Sequence, residues 1–133
     1  MRGRKPLSIP GPIREQVDQI VAEFNQKTIK NPQCFYVARY SGSDLYLDRH
    51  HYGPIEPIAR LKYQGELTRW KFAIYKYSKN RYDPDEWFFP GAEHVDGTVV
   101  GAMKAGLEAY PLSDYNNTSP LGRVLSWVFG RKR

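Results

Sequence analysis

The sequence predicts an α+β domain: a four-stranded antiparallel meander sheet with an N-terminal and a C-terminal helix covering one face, in the order α-β-β-β-β-α, followed by a short tail helix. Three observations lead there. Apolar residues recur at helical spacing near both ends of the body, and between Cys34 and Tyr77 the period drops to two. Short turn clusters separate the alternating runs, which favours sequential antiparallel pairing. Two apolar helix faces then need one apolar sheet face to cover. At 133 residues the chain has the length of one domain.

Taken in order, residues 1–11 hold three basic residues, two Gly and two Pro, and read as a disordered basic arm. Pro12 suits the first turn of a helix, where its missing N–H is not needed. Ile13, Val17, Ile20, Val21 and Phe24 then form one apolar stripe. From Cys34, Phe35 and Val37 alternate with Tyr36, Ala38 and Tyr40; Ser41-Gly42-Ser43-Asp44 is a turn cluster, and Leu45 and Leu47 alternate with Tyr46 and Asp48, giving a hairpin. Gly53-Pro54 and Pro57 punctuate a connection before a third strand over 58–63 and a fourth over 69–77. Prolines at 84 and 90 make 79–96 irregular, with Trp87, Phe88 and Phe89 as apolar anchors holding a loop over the core. Asp96 is placed to cap a second helix carrying Val99, Val100, Met103, Leu107 and Tyr110, and its glycines suggest close packing on the sheet. The single domain therefore spans 12–111, and 112–133 form a linker and an amphipathic basic tail.

Charge is concentrated at the ends. Residues 1–30 carry six basic against three acidic residues, 31–110 ten against ten, and 111–133 four against one, within a net charge of +6. Basic ends on a neutral body meet a polyanion or an acidic surface first. The lone Cys34 excludes an internal disulfide and suits a reducing compartment. No apolar run marks a secretory signal or a membrane span, so a cytoplasmic location is expected.

The more hydrophobic parity gives Phe35, Val37, Leu45, Leu47, Leu61, Trp70, Phe72 and Ile74 as the covered side of the sheet. The opposite parity carries Tyr36, Tyr40, Tyr46, Arg60, Lys62, Lys71, Tyr75 and Tyr77. Rings that stack on bases, interleaved with cations that follow phosphates, suit single-stranded nucleic acid. The same residues also suit a solvated sheet face or a protein interface. Arg2, Arg4 and Lys5 join the candidate contacts. Arg2-Gly3-Arg4-Lys5-Pro6 resembles an AT-hook, which implies insertion into a narrow A·T minor groove, although Lys5 stands where that family usually has Pro. The element order resembles the four-strands-then-helix units of PUR-repeat and Whirly proteins, which implies single-stranded DNA binding.

The tail places Leu121, Val124, Leu125 and Val128 on one face with Trp127 beside it, and ends in Arg-Lys-Arg. It can dock on its own domain, on a partner or second subunit, or on an anionic membrane surface. His50 and His51 are neighbours on a strand and so point to opposite faces, which does not make a metal site. Asp48, Glu56 and Glu66 near Lys62 or Lys71 would have to converge to serve a metal-dependent hydrolase, and no spacing supports it. No catalytic residue, metal or cofactor is assigned. The expected function is a non-catalytic binding module with DNA or RNA as its ligand; the alternative is a homodimerising adaptor that meets itself or another protein.

Overall fold

The computed structural model describes residues 7–112. The readings for Arg2, Arg4 and Lys5, and for Leu121, Val124, Leu125, Trp127 and Val128, lie outside them. The elements run α1 (Gly11–Phe24), β1 (Cys34–Ser41), β2 (Asp44–His51), β3 (Ile55–Glu66), β4 (Arg69–Lys76), β5 (Arg81–Asp83) and α2 (Val99–Ala109). The sheet is a fully antiparallel meander in the order β1-β2-β3-β4-β5, with both helices packed side by side on one face. The fold is therefore α+β with five strands rather than four. The fifth is only three residues long and stops at Pro84, too short for alternation to reveal.

Packing begins at Ile9, which is buried and donates its N–H to Gly42 O, so the chain is engaged before Pro12. In α1, Val17, Val21 and Phe24 are buried and Ile13 and Ile20 pack beside them, as the stripe requires. The helix runs on into a π turn (Asn25–Ile29). At that junction the Asn25 carboxamide donates to Tyr36 O (3.0 Å) and accepts from Tyr36 N (2.8 Å). A side chain thus occupies backbone groups of β1, the edge strand, where a foreign strand would otherwise pair.

The β1–β2 hairpin corrects the first strand. Its loop is Gly42-Ser43, with φ positive at Gly42 only, as a type II′ turn requires. That two-residue loop sets Tyr40 opposite Leu45, Ala38 opposite Leu47, Tyr36 opposite Arg49 and Cys34 opposite His51. Direct partners share a face, so Tyr36 joins the leucines inside. Phe35 and Val37 turn outward instead: Val37 is exposed, and Phe35 stacks on His50 with ring centroids 4.4 Å apart. The other six of the eight residues expected inside are buried. Pro57 lies within β3, where β4 has not yet begun to pair and β2 shifts register beside it.

The cap of α2 is Thr98 rather than Asp96. Thr98 Oγ1 accepts from Gly101 N (2.9 Å), while Asp96 Oδ1 accepts from Thr98 N and Oγ1, which holds the Asp96 carboxyl below its usual pKa. The close packing on the sheet expected of the glycines is present at Gly106, and Gly97 lies against Thr68 and Arg69 at the start of β4, whereas Gly101 packs against the loop before α2. A methyl at Gly106 would overlap the Tyr36 hydroxyl and an Ile58 methyl, and one at Gly101 would overlap Asp96 and His94 O.

Candidate functional site

Beneath the helices, the inward parity of β2 continues past Leu45 and Leu47 to Arg49 and His51. Arg49 and Glu56 are direct partners across β2 and β3, 0 % and 1 % exposed, with Nη2 and Oε1 3.5 Å apart. The same Nη2 donates to Tyr110 O (2.5 Å), and the guanidinium lies 5.6 Å from the Tyr36 ring centroid. Tyr36 in turn donates to Met103 O (2.8 Å). Burial pushes the Tyr36 hydroxyl up, and the Arg49 charge opposes that shift. This cluster ties β1, β2, β3 and α2 together, and it is closed to solvent. Arg49 Nε and Nη1 have no hydrogen-bond partner among the described residues.

The outward face differs. Cross-strand register aligns Arg39, Tyr46, Arg60 and Ala73 in one row and Ser41, Asp44, Lys62 and Lys71 in the next. Arg39 lies over the Tyr46 ring at 4.4 Å, and Arg60 lies 5.7 Å from the Tyr82 centroid. Tyr82 contacts Tyr46 (5.4 Å) and its direct partner Tyr75 (4.9 Å). Three phenol rings and two guanidiniums therefore make one continuous aromatic–cationic surface around buried Ala73. The first row crosses four strands, roughly 14 Å at ordinary strand spacing. Burial pushes the Tyr82 hydroxyl up to about 12, with Asp48 adding to the shift and Arg39 opposing it. Asp48 is held by Arg39 (2.9 Å) and Asp44 by Lys62 (3.0 Å). Arg60 and Lys71 have no ion-pair partner among the described residues.

Of the sheet candidates, Tyr46, Arg60, Lys62, Lys71 and Tyr75 are on this face. Tyr36 and Tyr40 are not brought to it, and Tyr77 touches only its margin. Tyr36 is in the core. Tyr40 shares the inward parity and reaches α1, donating to Asp18 Oδ1 (2.6 Å) with Arg14 O 3.1 Å away; its hydroxyl is pushed up first by burial and then by Asp18. Tyr77 is one residue past β4, at the end of the sheet, where its ring meets Tyr75 edge-on (4.9 Å) and Tyr110 edge-on (5.3 Å) and its hydroxyl donates to Pro57 O. Arg39 and Tyr82 were missed. Arg39 was hidden by the β1 parity error, which the two-residue turn could have corrected, and Tyr82 by the brevity of β5.

The carboxylates do not converge. Asp48 is on the outer face with Arg39, Glu56 is inside with Arg49, and Glu66 is at the β3–β4 turn beside Arg69. His50 and His51 do face opposite ways, as strand geometry demands. Glu93, His94 and Glu108 bring three potential ligand atoms within 4.8 Å at the surface, where His94 Nε2 is 2.8 Å from Glu108 Oε2 and ties the 3-10 turn Ala92–His94 to α2. Among the described residues no helix is long and apolar enough to cross a membrane. Compared with known proteins, the chain matches no family model, no curated protein and no solved structure.

Proposed function

We propose that this protein is a non-catalytic binding module that takes single-stranded nucleic acid across the outer face of its sheet. The observation that supports it is the row in which Arg39, Tyr46 and Arg60 alternate cation, ring, cation, flanked by Tyr75 and Tyr82. Bases stack on phenol rings and guanidinium planes, and each stacked base contributes about 1–3 kcal/mol without regard to sequence. Arg60 and Lys71 take phosphates directly, while Arg39 and Lys62 must share theirs with Asp48 and Asp44. The basic ends, Arg2, Arg4 and Lys5 among them, add long-range attraction. A cytoplasmic setting fits this reading, since Cys34 is a free, buried thiol.

Fluorescence anisotropy with labelled 20-nucleotide single strands of DNA and RNA, and with the matching duplex, tests it. Single strands should bind more tightly than duplex, and log K should fall with log salt at a slope of about 0.7 per phosphate neutralised, hence roughly 2–3 for four contacts. Equal affinity for duplex, or binding indifferent to salt, would count against the sheet as the platform.

A second reading, a face-to-face homodimer, is favoured by the pairs Arg39–Asp48 and Lys62–Asp44, which leave mixed charge that a second copy can match. It predicts a dimer by sedimentation velocity, insensitive to nuclease and weakened by Tyr46→Glu.

A further inference from the structure

A second surface lies beside α2, away from the outer face. Trp87 is 49 % exposed and Phe88 76 % exposed, whereas Phe89 is buried against Phe72. Only one of the three aromatics expected to anchor this loop is therefore fully seated. Trp87 rests on the Phe72 and Phe89 rings, and with the exposed Phe88 beside it forms an apolar patch of the kind that meets another surface. From 76 to 104 the chain carries five acidic and four basic residues, and the acids lie together in its middle. Residues 82–103 contain Asp83, Asp85, Glu86, Glu93 and Asp96 and no Lys or Arg. Lys76 engages Glu86, and Lys79 and Arg81 approach Asp83, while Asp85 and Glu93 stay exposed.

The described chain ends next to this loop. Gly91 packs against Ala105 and Glu108 in the last turns of α2, and Tyr110 lies close enough to Glu86 to feel its charge. Beyond Leu112 the sequence continues for 21 residues, with four basic residues against one acidic. Residues 113–120 can span up to roughly 28 Å. The following segment then offers Leu121, Val124, Leu125 and Val128 at helical spacing, with a basic terminus behind them.

We infer that the Trp87–Phe88 patch is the docking surface for residues 121–129 of the same chain, with the Arg131, Lys132 and Arg133 charges set toward Asp85 and Glu93. Apolar match, opposite charge and reach all select this segment. The contact uses neither Tyr46 nor Arg60, so it stands or falls apart from nucleic-acid binding.

Hydrogen-exchange mass spectrometry on the full chain tests it, with sedimentation velocity on the same samples. In the wild-type monomer, amides in 121–129 should exchange at least about tenfold more slowly than those of an unstructured peptide. Trp87→Ser with Phe88→Ser changes two exposed side chains and should abolish that protection while leaving the sheet amides unchanged. Val124→Asp with Leu125→Asp should produce the same loss and should also speed exchange in 84–92. Absence of protection in the wild type, or protection indifferent to the Trp87 and Phe88 substitutions, overturns the proposal. Protection that disappears on dilution together with a dimer also overturns it, because the segment would then be docking on a second copy.

Discussion

Both faces of the sheet set arginine over tyrosine, and the two arrangements do different work. Inside, Arg49 lies over Tyr36, is paired with Glu56 and is closed to water. Outside, Arg39 lies over Tyr46 and is paired with Asp48, with the arginine side chain half exposed. The chemistry is the same and the solvent differs. A buried charge that loses its partner is left in a medium that cannot solvate it, whereas a surface charge simply turns to water. Parting the inner pair is therefore costly to the fold, whereas the outer pair can part at little cost.

The largest expected effect breaks the inner pair. Glu56→Ala should cost about 3–5 kcal/mol in denaturant unfolding, because Arg49 stays buried, and the double change Arg49→Met with Glu56→Leu should recover most of it. Asp48→Ala, the outer counterpart, should stay within about 1 kcal/mol of wild type. Equal costs inside and outside would erase the distinction. Next, Gly106→Ala should destabilise by about 1–3 kcal/mol, since its methyl overlaps the buried Tyr36 hydroxyl and an Ile58 methyl, which must shift within the core. Tyr36→Phe should cost about 1 kcal/mol by removing the hydrogen bond to Met103 O, against little for Tyr46→Phe.

A smaller effect concerns pH. The Tyr82 hydroxyl titrates at about 12 in the folded chain against 10 for its ordinary value, so folding disfavours the phenolate. Its stabilisation is whole below pH 10 and is lost as pH rises toward 12. Stability should therefore fall across that window, and Tyr82→Phe should make the fall shallower. Chemical denaturation at pH 8, 10 and 11.5 measures it; an unchanged slope would mean that Tyr82 is not held in its neutral form by the face.

Much of this arrangement was legible in the residues. Leu45, Leu47, Leu61, Trp70, Phe72 and Ile74 face inward as their alternation indicates, and Tyr46, Arg60, Lys62, Lys71 and Tyr75 face outward. β1 was misread because its two parities are nearly matched in hydrophobicity. Phe35 and Val37 look like core beside Tyr36 and Ala38, and the turn decides between them. Arg49 could be placed inside by extending the parity of Leu45 and Leu47, yet its charge argues for the surface; Glu56 has the opposite parity to Leu61 and reaches the inner face only through the register shift between Leu47 and Asp48. Tyr82 belongs to a strand too short to announce itself, and it joins the site only because Arg81–Asp83 pairs with β4.

The central claim is that the outer rings serve a ligand and not the fold. Tyr46→Ala combined with Tyr75→Ala, assayed for single-strand affinity and for unfolding free energy on one preparation, tests it most directly. The account predicts at least a tenfold weaker Kd with stability lowered by no more than about 2 kcal/mol, the range for cross-strand pairs of this kind. Unchanged affinity in a folded double variant would contradict it.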